Sequence, residues 1–435
     1  MIYGGDGLAR LPADSSGRGK AAFVPFVLPA EQIEAAITEQ KAGFVRARAE
    51  AIIAPSGYRV APACRYFTQC GGCQYQHASY EQQLEIKKEI LLESLRRTAK
   101  IELPVEMQAH ASPPWNYRNR SRLQVQTNPS FAVGYFRMAS HELLAVEECP
   151  ISSPLINRGM AVLWQSGLGD RVPEGVREVE FFANADDSRL LVEISATAGA
   201  RRAALRTWAE NLRASMPEIA GAVVFRETQS RTENLREKLL TVGADHLIYQ
   251  TQRARYRVSA GSFFQTNRHL IDELVRIVTE GQSGELALDL YAGVGLFSIA
   301  LNDFHRTVSV ESSPTSAGDL SYNRSSNTKA VLATTGQYLD RMDQSGSKRD
   351  SPHMDHVHKP DLTVVDPPRS GLGESLARKL ASLGAPRIVY VSCDPMTLAR
   401  DLVALLASGY RIEQAHLVDL FPQTYHLESV IHLAR

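Results

Sequence analysis

The sequence predicts a fold of mixed class, α/β plus β, from three observations. Short β-like runs fill the first fifty or so residues, the middle of the chain is mostly strand-like, and after Ser259 a rhythm of strand, glycine-rich turn and helix takes over. A chain of 435 residues exceeds what one hydrophobic core usually serves. Three units are therefore expected, over 1–55, 56–258 and 259–435.

In the first unit Gly7-Leu-Ala-Arg10, Ala21 to Ile33 and Phe44 to Ile53 are short runs between Gly, Pro and Ser breaks, which predicts a small β-barrel. Tyr80 to Arg97 has helical character, with Leu84, Leu91, Leu92 and Leu95 recurring at helical intervals, and this helix has an apolar face to lay on the third unit. From about 112 to 258 the pattern is β-rich, as in Arg122-Leu-Gln-Val-Gln126 and Gly221-Ala-Val-Val-Phe225. In the third unit Leu286 to Phe297 reads as a buried strand running into a glycine turn and a helix. Thr307–Glu311, Leu362–Asp366 and Arg387–Ser392 are further apolar strands, each closing on a polar residue. In a parallel sheet such ends share one edge, where ligands bind. Residues 341–360 read as an exposed loop, and its His353, His356 and His358 are assigned no metal, because no second ligand set lies near them in sequence.

Lysine and arginine total 48 and so do aspartate and glutamate, which excludes a uniformly basic nucleic-acid-coating protein but leaves room for local patches. Three such patches stand out: Lys87, Lys88, Arg96, Arg97 and Lys100; Arg118, Arg120 and Arg122; and Arg253, Arg255 and Arg257. Alternation along a strand would put each arginine triplet on one face, able to track a phosphate backbone or simply to face solvent. No apolar stretch is long enough to span a bilayer, the start of the chain lacks a signal-peptide pattern, and the five cysteines do not read as disulfide pairs. A cytoplasmic protein without a membrane partner is expected.

Four of those cysteines form a group. Cys64, Cys70 and Cys73 lie close together, with Gly71-Gly72 between the last two, and Cys149-Pro150 supplies a remote fourth thiolate, a spacing that favours a [4Fe-4S] cluster. Zinc sites more often join two short knuckles of two cysteines each.

The fifth cysteine belongs to other chemistry. Asp289-Leu-Tyr-Ala-Gly293-Val-Gly295 lets backbone approach a ligand closely, and Glu311 ends the next strand eighteen residues after Gly293, where an acid can bind ribose hydroxyls. A nicotinamide site would call for a third glycine where Ser298 stands, so S-adenosylmethionine fits better. Asp366-Pro-Pro-Arg369 and Val391-Ser-Cys393-Asp-Pro395 end successive predicted strands and so converge on one crevice. Methyl transfer to an amino nitrogen would leave a cysteine idle. Carbon 5 of a pyrimidine, in contrast, becomes nucleophilic only after a soft nucleophile adds to carbon 6, and Cys393 suits that role. The proton on carbon 5 must then leave to a general base, for which Glu428 at the start of the last apolar strand is the candidate.

These motifs in this order resemble the RNA uracil-5-methyltransferase family, which makes 5-methyluridine in ribosomal or transfer RNA. The resemblance rests on Cys64 to Cys73 with Gln76-His77, Tyr117-Arg-Asn-Arg120, Cys149-Pro150, Ser262-Phe-Phe-Gln265-Thr-Asn267, Asp289 to Gly295, Asp366 to Arg369, Ser392 to Pro395 and His426-Leu-Glu428. It implies an N-terminal TRAM barrel, a central domain with a [4Fe-4S] cluster and a Rossmann-like methyltransferase domain. It also implies that Cys393 is the nucleophile and Glu428 the base, with Gln265, Tyr291, Glu311 and Asp366 lining the cofactor and uracil pocket. The substrate implied is a flipped-out uridine, in 23S ribosomal RNA or, as the second choice, transfer RNA, bound by a monomer. Three departures stand beside it: the barrel's first strand is expected to be missing, Leu296 replaces a polar cofactor contact, and Thr334 to Tyr338 offers no aligned adenine ligand. A cytosine-5 methyltransferase would carry a cysteine where Arg369 stands. An inactive RNA-binding iron–sulfur protein would be expected to have lost Cys393 or Glu428.

Overall fold

The computed structural model describes residues 1–12, 19–169, 171–229, 234–347 and 359–435; His353, His356 and His358 lie outside them. Strands β1 (Asp6–Arg10), β2 (Ala21–Pro25), β3 (Gln32–Gln40) and β4 (Phe44–Ala54) form one sheet in the order β1-β2-β4-β3. Its core is small, consisting of Val24, Val27 and Ala47.

Helix α1 (Tyr80–Ser94) starts where the Ser79 hydroxyl accepts from the Gln82 N–H. It buries Ile86, Ile90 and Leu91 in the same core as Leu398 and Leu402 far along the chain. Strand β5 (Met107–His110) goes further than the sequence placed it: it pairs in parallel with Ala415–Val418 and so belongs to the sheet of the third unit, not the central one.

The central unit contains β6 (Arg120–Gln126), β7 (Ala132–Phe136), β8 (Leu143–Ala145), α2 (Pro154–Leu168), β9 (Val176–Ala183), β10 (Leu190–Ala196), α3 (Arg202–Ser215), β11 (Ile219–Gln229) and β12 (Asn234–Gly243). Its seven strands run in the order β12-β11-β10-β9-β6-β7-β8. The two helices correct a reading that was almost all strand. Ser153 caps α2 with Pro154 in its first turn, and Leu155, Ile156, Met160 and Leu163 are buried at helical spacing. Leu205, Trp208, Ala209 and Leu212 do the same for α3.

After the hairpin of β13 (His246–Gln250) and β14 (Arg255–Ser259) comes the third unit, built from α4 (Ile271–Thr279), β15 (Gly284–Leu290), β16 (Phe304–Glu311), α5 (Pro314–Asn323), β17 (Thr328–Leu332), α6 (Thr335–Ser347), β18 (Leu362–Val365), α7 (Glu374–Ser382), β19 (Arg387–Ser392), α8 (Pro395–Ala407), β20 (Arg411–Val418) and β21 (Glu428–Ala434). Its sheet has the order β17-β16-β15-β18-β19-β21-β20-β5, with β17 to β19 parallel and β21 antiparallel to both neighbours. Residues 341–347, expected in a loop, complete helix α6. The order reverses direction at β15, where a parallel sheet opens a crevice beyond its strand ends.

Candidate active site at the strand ends

Adjacent strands β15, β18, β19 and β21 deliver Asp289, Asp366, Cys393 and Glu428 to one edge of the sheet. Leu290 pairs with Val365 and Val365 with Tyr390, so the residues that follow β18 and β19 emerge side by side. Ser392 pairs with Ser429 across the antiparallel step from β19 to β21. One residue further along each strand, Cys393 faces Glu428. The Ser429 hydroxyl donates to the Ser392 carbonyl at 3.2 Å and pins this register. After Cys393, the Asp394 carboxylate accepts from the Met396 and Thr397 N–H groups, both at 3.0 Å, and starts α8.

Among the described residues none of the acids here forms a salt bridge. Asp289 is fully buried and held by the Ser298 hydroxyl, which Ser309 in turn supports at 2.7 Å, while its Oδ1 has no partner. Burial pushes its carboxyl up to about 7. Half-buried Asp366 is raised to about 7 by burial and by the charge of Asp289. Glu428 is 3 % exposed, its Oε1 has no partner, and burial followed by the charge on Asp366 holds its carboxyl well above the ordinary range. The Cys393 thiol is pushed up to about 12, first by burial and then by Glu428 and Asp366. Arg369, from the Asp-Pro-Pro loop, opposes these shifts on Cys393 and Glu428, and its guanidinium lies 3.2 Å from His426 Nδ1. Burial, then that cation, pushes His426 down to about 3, so its ring is neutral.

The glycine turn lies along the same edge. Gly293, at φ 56°, donates its N–H to Glu311 Oε2 at 2.9 Å, and a Cβ there would meet nothing within 4 Å. This is open space beside backbone, the shape a ligand needs. Gly295, at φ 94°, has no such room: a Cβ would lie 2.8 Å from Leu320 Cδ1. Tyr291 holds a left-handed backbone at φ 64°, where a non-glycine residue costs roughly 1 kcal/mol or more. Gln265 is buried, and its carbonyl accepts from Asn119 Nδ2 at 3.1 Å. Leu296 is buried in the apolar core.

The four remaining cysteines gather elsewhere, beside β7. All are half-buried. Burial raises the thiols of Cys64, Cys70, which reaches about 11, and Cys73, and the charge of Cys149 acts on each of the three. Gly71 donates to the Phe136 carbonyl at 3.0 Å, and Gly72 donates to Cys70 Sγ at 3.4 Å. Asn157 clasps Cys149 by accepting from its N–H at 2.9 Å and donating to its carbonyl at 3.0 Å. Among the described residues no set of three or more His, Cys, Asp or Glu side chains is arranged to hold a metal ion.

The basic patches need correction. Lys87 is buried and bonds Asp419 at 2.6 Å. Arg120 and Arg122 reach Glu180 at 3.5 and 2.8 Å, and Arg257 reaches Asp319 at 3.2 Å. Arg96 and Arg97 pair with Glu93. Lys87, Arg120 and Arg257 are thus engaged within the protein, while Arg96, Arg97 and Arg122 keep half or more of their side chains in solvent and Arg253 and Arg255 are exposed. The sequence reading missed Asp289 as a titrating group, although its place before the glycine turn was visible. It also missed Gln83 and Gln423, which carried no signal.

No helix among the described residues is long and apolar enough to cross a membrane. A profile of the tRNA (Uracil-5-)-methyltransferase family matches residues 79–435. An RNA methyltransferase of Aquifex aeolicus is 34% identical over 438 residues, 99% of this chain and 96% of that protein. The 23S rRNA (uracil(1939)-C(5))-methyltransferase RlmD of Halomonas elongata is 31% identical and covers 99% of this chain and 87% of its own. The fold is shared with a Pyrococcus abyssi tRNA (uracil-54, C5)-methyltransferase solved with S-adenosyl-L-homocysteine, at TM-score 0.72 and 23% identity over 99% of this chain and 100% of that one. On this evidence the chain belongs to the tRNA (uracil-5-)-methyltransferase family and is an RNA (uracil-5-)-methyltransferase with a Rossmann-like α/β domain.

Proposed function

We propose that this protein methylates carbon 5 of a uridine in 23S ribosomal RNA through a transient bond between Cys393 and carbon 6. The observation that carries the mechanism is the strand register that sets Cys393 opposite Glu428, a buried carboxyl with an unpartnered oxygen. The RlmD relative supports ribosomal RNA as the substrate.

S-adenosylmethionine, when bound, supplies the methyl group on a sulfonium. Residues Gln265, Tyr291, Gly293, Gly295, Glu311 and Asp366 would hold it, and the open space at Gly293 together with the uncompensated acids suits a cationic ligand. Cys393 gives up its proton to the Asp366 carboxylate, which leaves Glu428 free for the later step, and its sulfur bonds carbon 6. The electron pair of the 5,6 double bond moves toward carbon 5 and the adjacent carbonyl. Once carbon 5 has taken the methyl group, Glu428 removes its proton, the double bond re-forms, and the Cys393–carbon 6 bond breaks with the pair returning to sulfur. A high thiol pKa keeps Cys393 protonated and unreactive in the free enzyme.

The first sheet is read as a TRAM-type RNA-binding module. The four cysteines are read as ligands of a [4Fe-4S] cluster, because Cys64, Cys70 and Cys73 stand within ten residues and the remote Cys149 lies near enough for its charge to act on all three. Anaerobic purification should yield brown protein with iron and sulfide, and colourless protein containing zinc would refute it. For the reaction itself, labelled cofactor is incubated with 23S rRNA and with tRNA transcripts. Label should enter 5-methyluridine of the ribosomal RNA alone and vanish in Cys393→Ala; label in cytidine, in tRNA only, or undiminished in that variant would overturn the proposal.

A further inference from the structure

Glu428 is reached through the segment Asp419–Leu427, many of whose anchoring residues lie more than 300 positions earlier in the chain. Gln423 is its hub. This residue is 3 % exposed and holds a left-handed backbone at φ 69°. Its N–H donates to Gln83 Oε1 at 2.9 Å, and Gln83 Nε2 donates back to Gln423 Oε1 at 3.0 Å. Its carbonyl accepts from both Gln74 N–H and Tyr75 N–H, at 3.0 and 2.9 Å. Gln74 Oε1 also accepts from the Tyr425 N–H at 3.3 Å.

Both sides of this hub are fixed. Upstream, Lys87 bonds Asp419 and the Phe421 carbonyl at 2.6 and 2.9 Å, and the Tyr117 hydroxyl donates to the Pro422 carbonyl at 3.0 Å. Downstream, the Tyr425 ring packs edge-on against Tyr3 at 5.4 Å, and the Tyr3 hydroxyl donates to the carbonyl of Cys393 at 3.3 Å. Tyr425 therefore connects the segment leading to Glu428 with the backbone of the nucleophile. A left-handed glutamine persists only where its surroundings over-determine it, and here four hydrogen bonds do so.

We infer that Gln83 and Gln423, with Gln74, are positioning residues that set the Glu428 carboxyl against carbon 5 of the Cys393-bound uracil. The inference rests on the reading of Glu428 as general base. It predicts a selective defect: bond formation and methyl transfer proceed, while proton removal and release are slowed, because only the last steps need the base in place.

The test compares three variants, Glu428→Gln, Gln423→Gly and Gln83→Glu, by single-turnover methyl transfer and by the fraction of RNA bound covalently on a denaturing gel. Glycine accepts the backbone angle of Gln423 while removing its amide, and Gln83→Glu keeps the shape while removing the donor, which covers the case of one variant failing to fold. Gln423→Gly and Gln83→Glu should keep methyl transfer near wild type and slow release by about tenfold, with adduct accumulating and the release step shifted along its pH profile. Adduct in Glu428→Gln with wild-type release in folded Gln423→Gly and Gln83→Glu would overturn the positioning role alone. A parallel loss of folded protein and of both steps, without adduct, would also overturn it. Absence of adduct in Glu428→Gln would remove the general base and this inference with it.

Discussion

Two sheets in this protein bury carboxylates, and they pair them differently. In the central sheet Glu180 is met by Arg120 and Arg122, and Glu193, 2 % exposed, by Arg236 at 3.6 Å and by the Gly261 N–H at 2.8 Å. At the edge of the third unit's sheet Asp289, Asp366 and Glu428 have no salt bridge among the described residues; burial raises the pKa of each, as it also raises that of Glu193. A charge neutralised by an arginine serves the fold. A carboxyl left without one must stay protonated or wait for a cation or a proton to arrive, which the methyl sulfonium and the hydrogen on carbon 5 would provide in the proposed reaction.

The largest expected effect comes from removing the uncompensated base. Glu428→Gln should slow release of methylated RNA by about 10²–10⁴-fold and leave a denaturation-resistant protein–RNA band. An unchanged turnover number would erase the distinction between the two sheets. Next comes the compensated sheet: Arg236→Leu takes one of the cations from Glu193, which keeps the Gly261 N–H, and should lower unfolding free energy by about 1 kcal/mol in urea titration, with methyl transfer per folded molecule unchanged. A loss of activity without loss of stability would break the comparison from the other side.

A further effect is a pH dependence. The folded state holds the Asp289 proton up to about 7, against 3.8 for the ordinary carboxyl, so its contribution to stability is complete at low pH and is lost as pH rises through that window. Asn mimics the protonated acid. The melting temperature of Asp289→Asn should therefore gain on wild type as pH rises from about 4 to about 7, and a difference that stays flat or shrinks would show that the carboxylate is compensated after all.

Some of this was legible early. Cys393, Glu428 and Asp366 could be named because their chemistry is specific and each lies at the end of a short apolar run, a local pattern. Helices α2 and α3 were legible too, in the spacing of Leu155, Ile156, Met160 and Leu163 and of Leu205, Trp208 and Leu212, but strand-like neighbours obscured them. The arginine alternation in β6 was visible, but its partners were not. Its partners are on β9, where Arg122 pairs with Glu180, and no sequence pattern states which strand will lie alongside. Gln423 gave no sign at all, because its partner Gln83 is 340 residues away.

By itself, the order of residues determined which atoms are available: a lone thiol after an apolar strand, an acid opening the last one, a glycine turn, and four grouped cysteines. Only the tertiary structure decided which charges are neutralised and which are not, by threading β21 between β19 and β20 and by spending the arginines on Glu180, Glu193 and Asp319. The reason is physical. Identity is a local property, while the energy of a charge depends on the dielectric and the counter-charges around it, and those are set by parts of the chain that meet only when it folds.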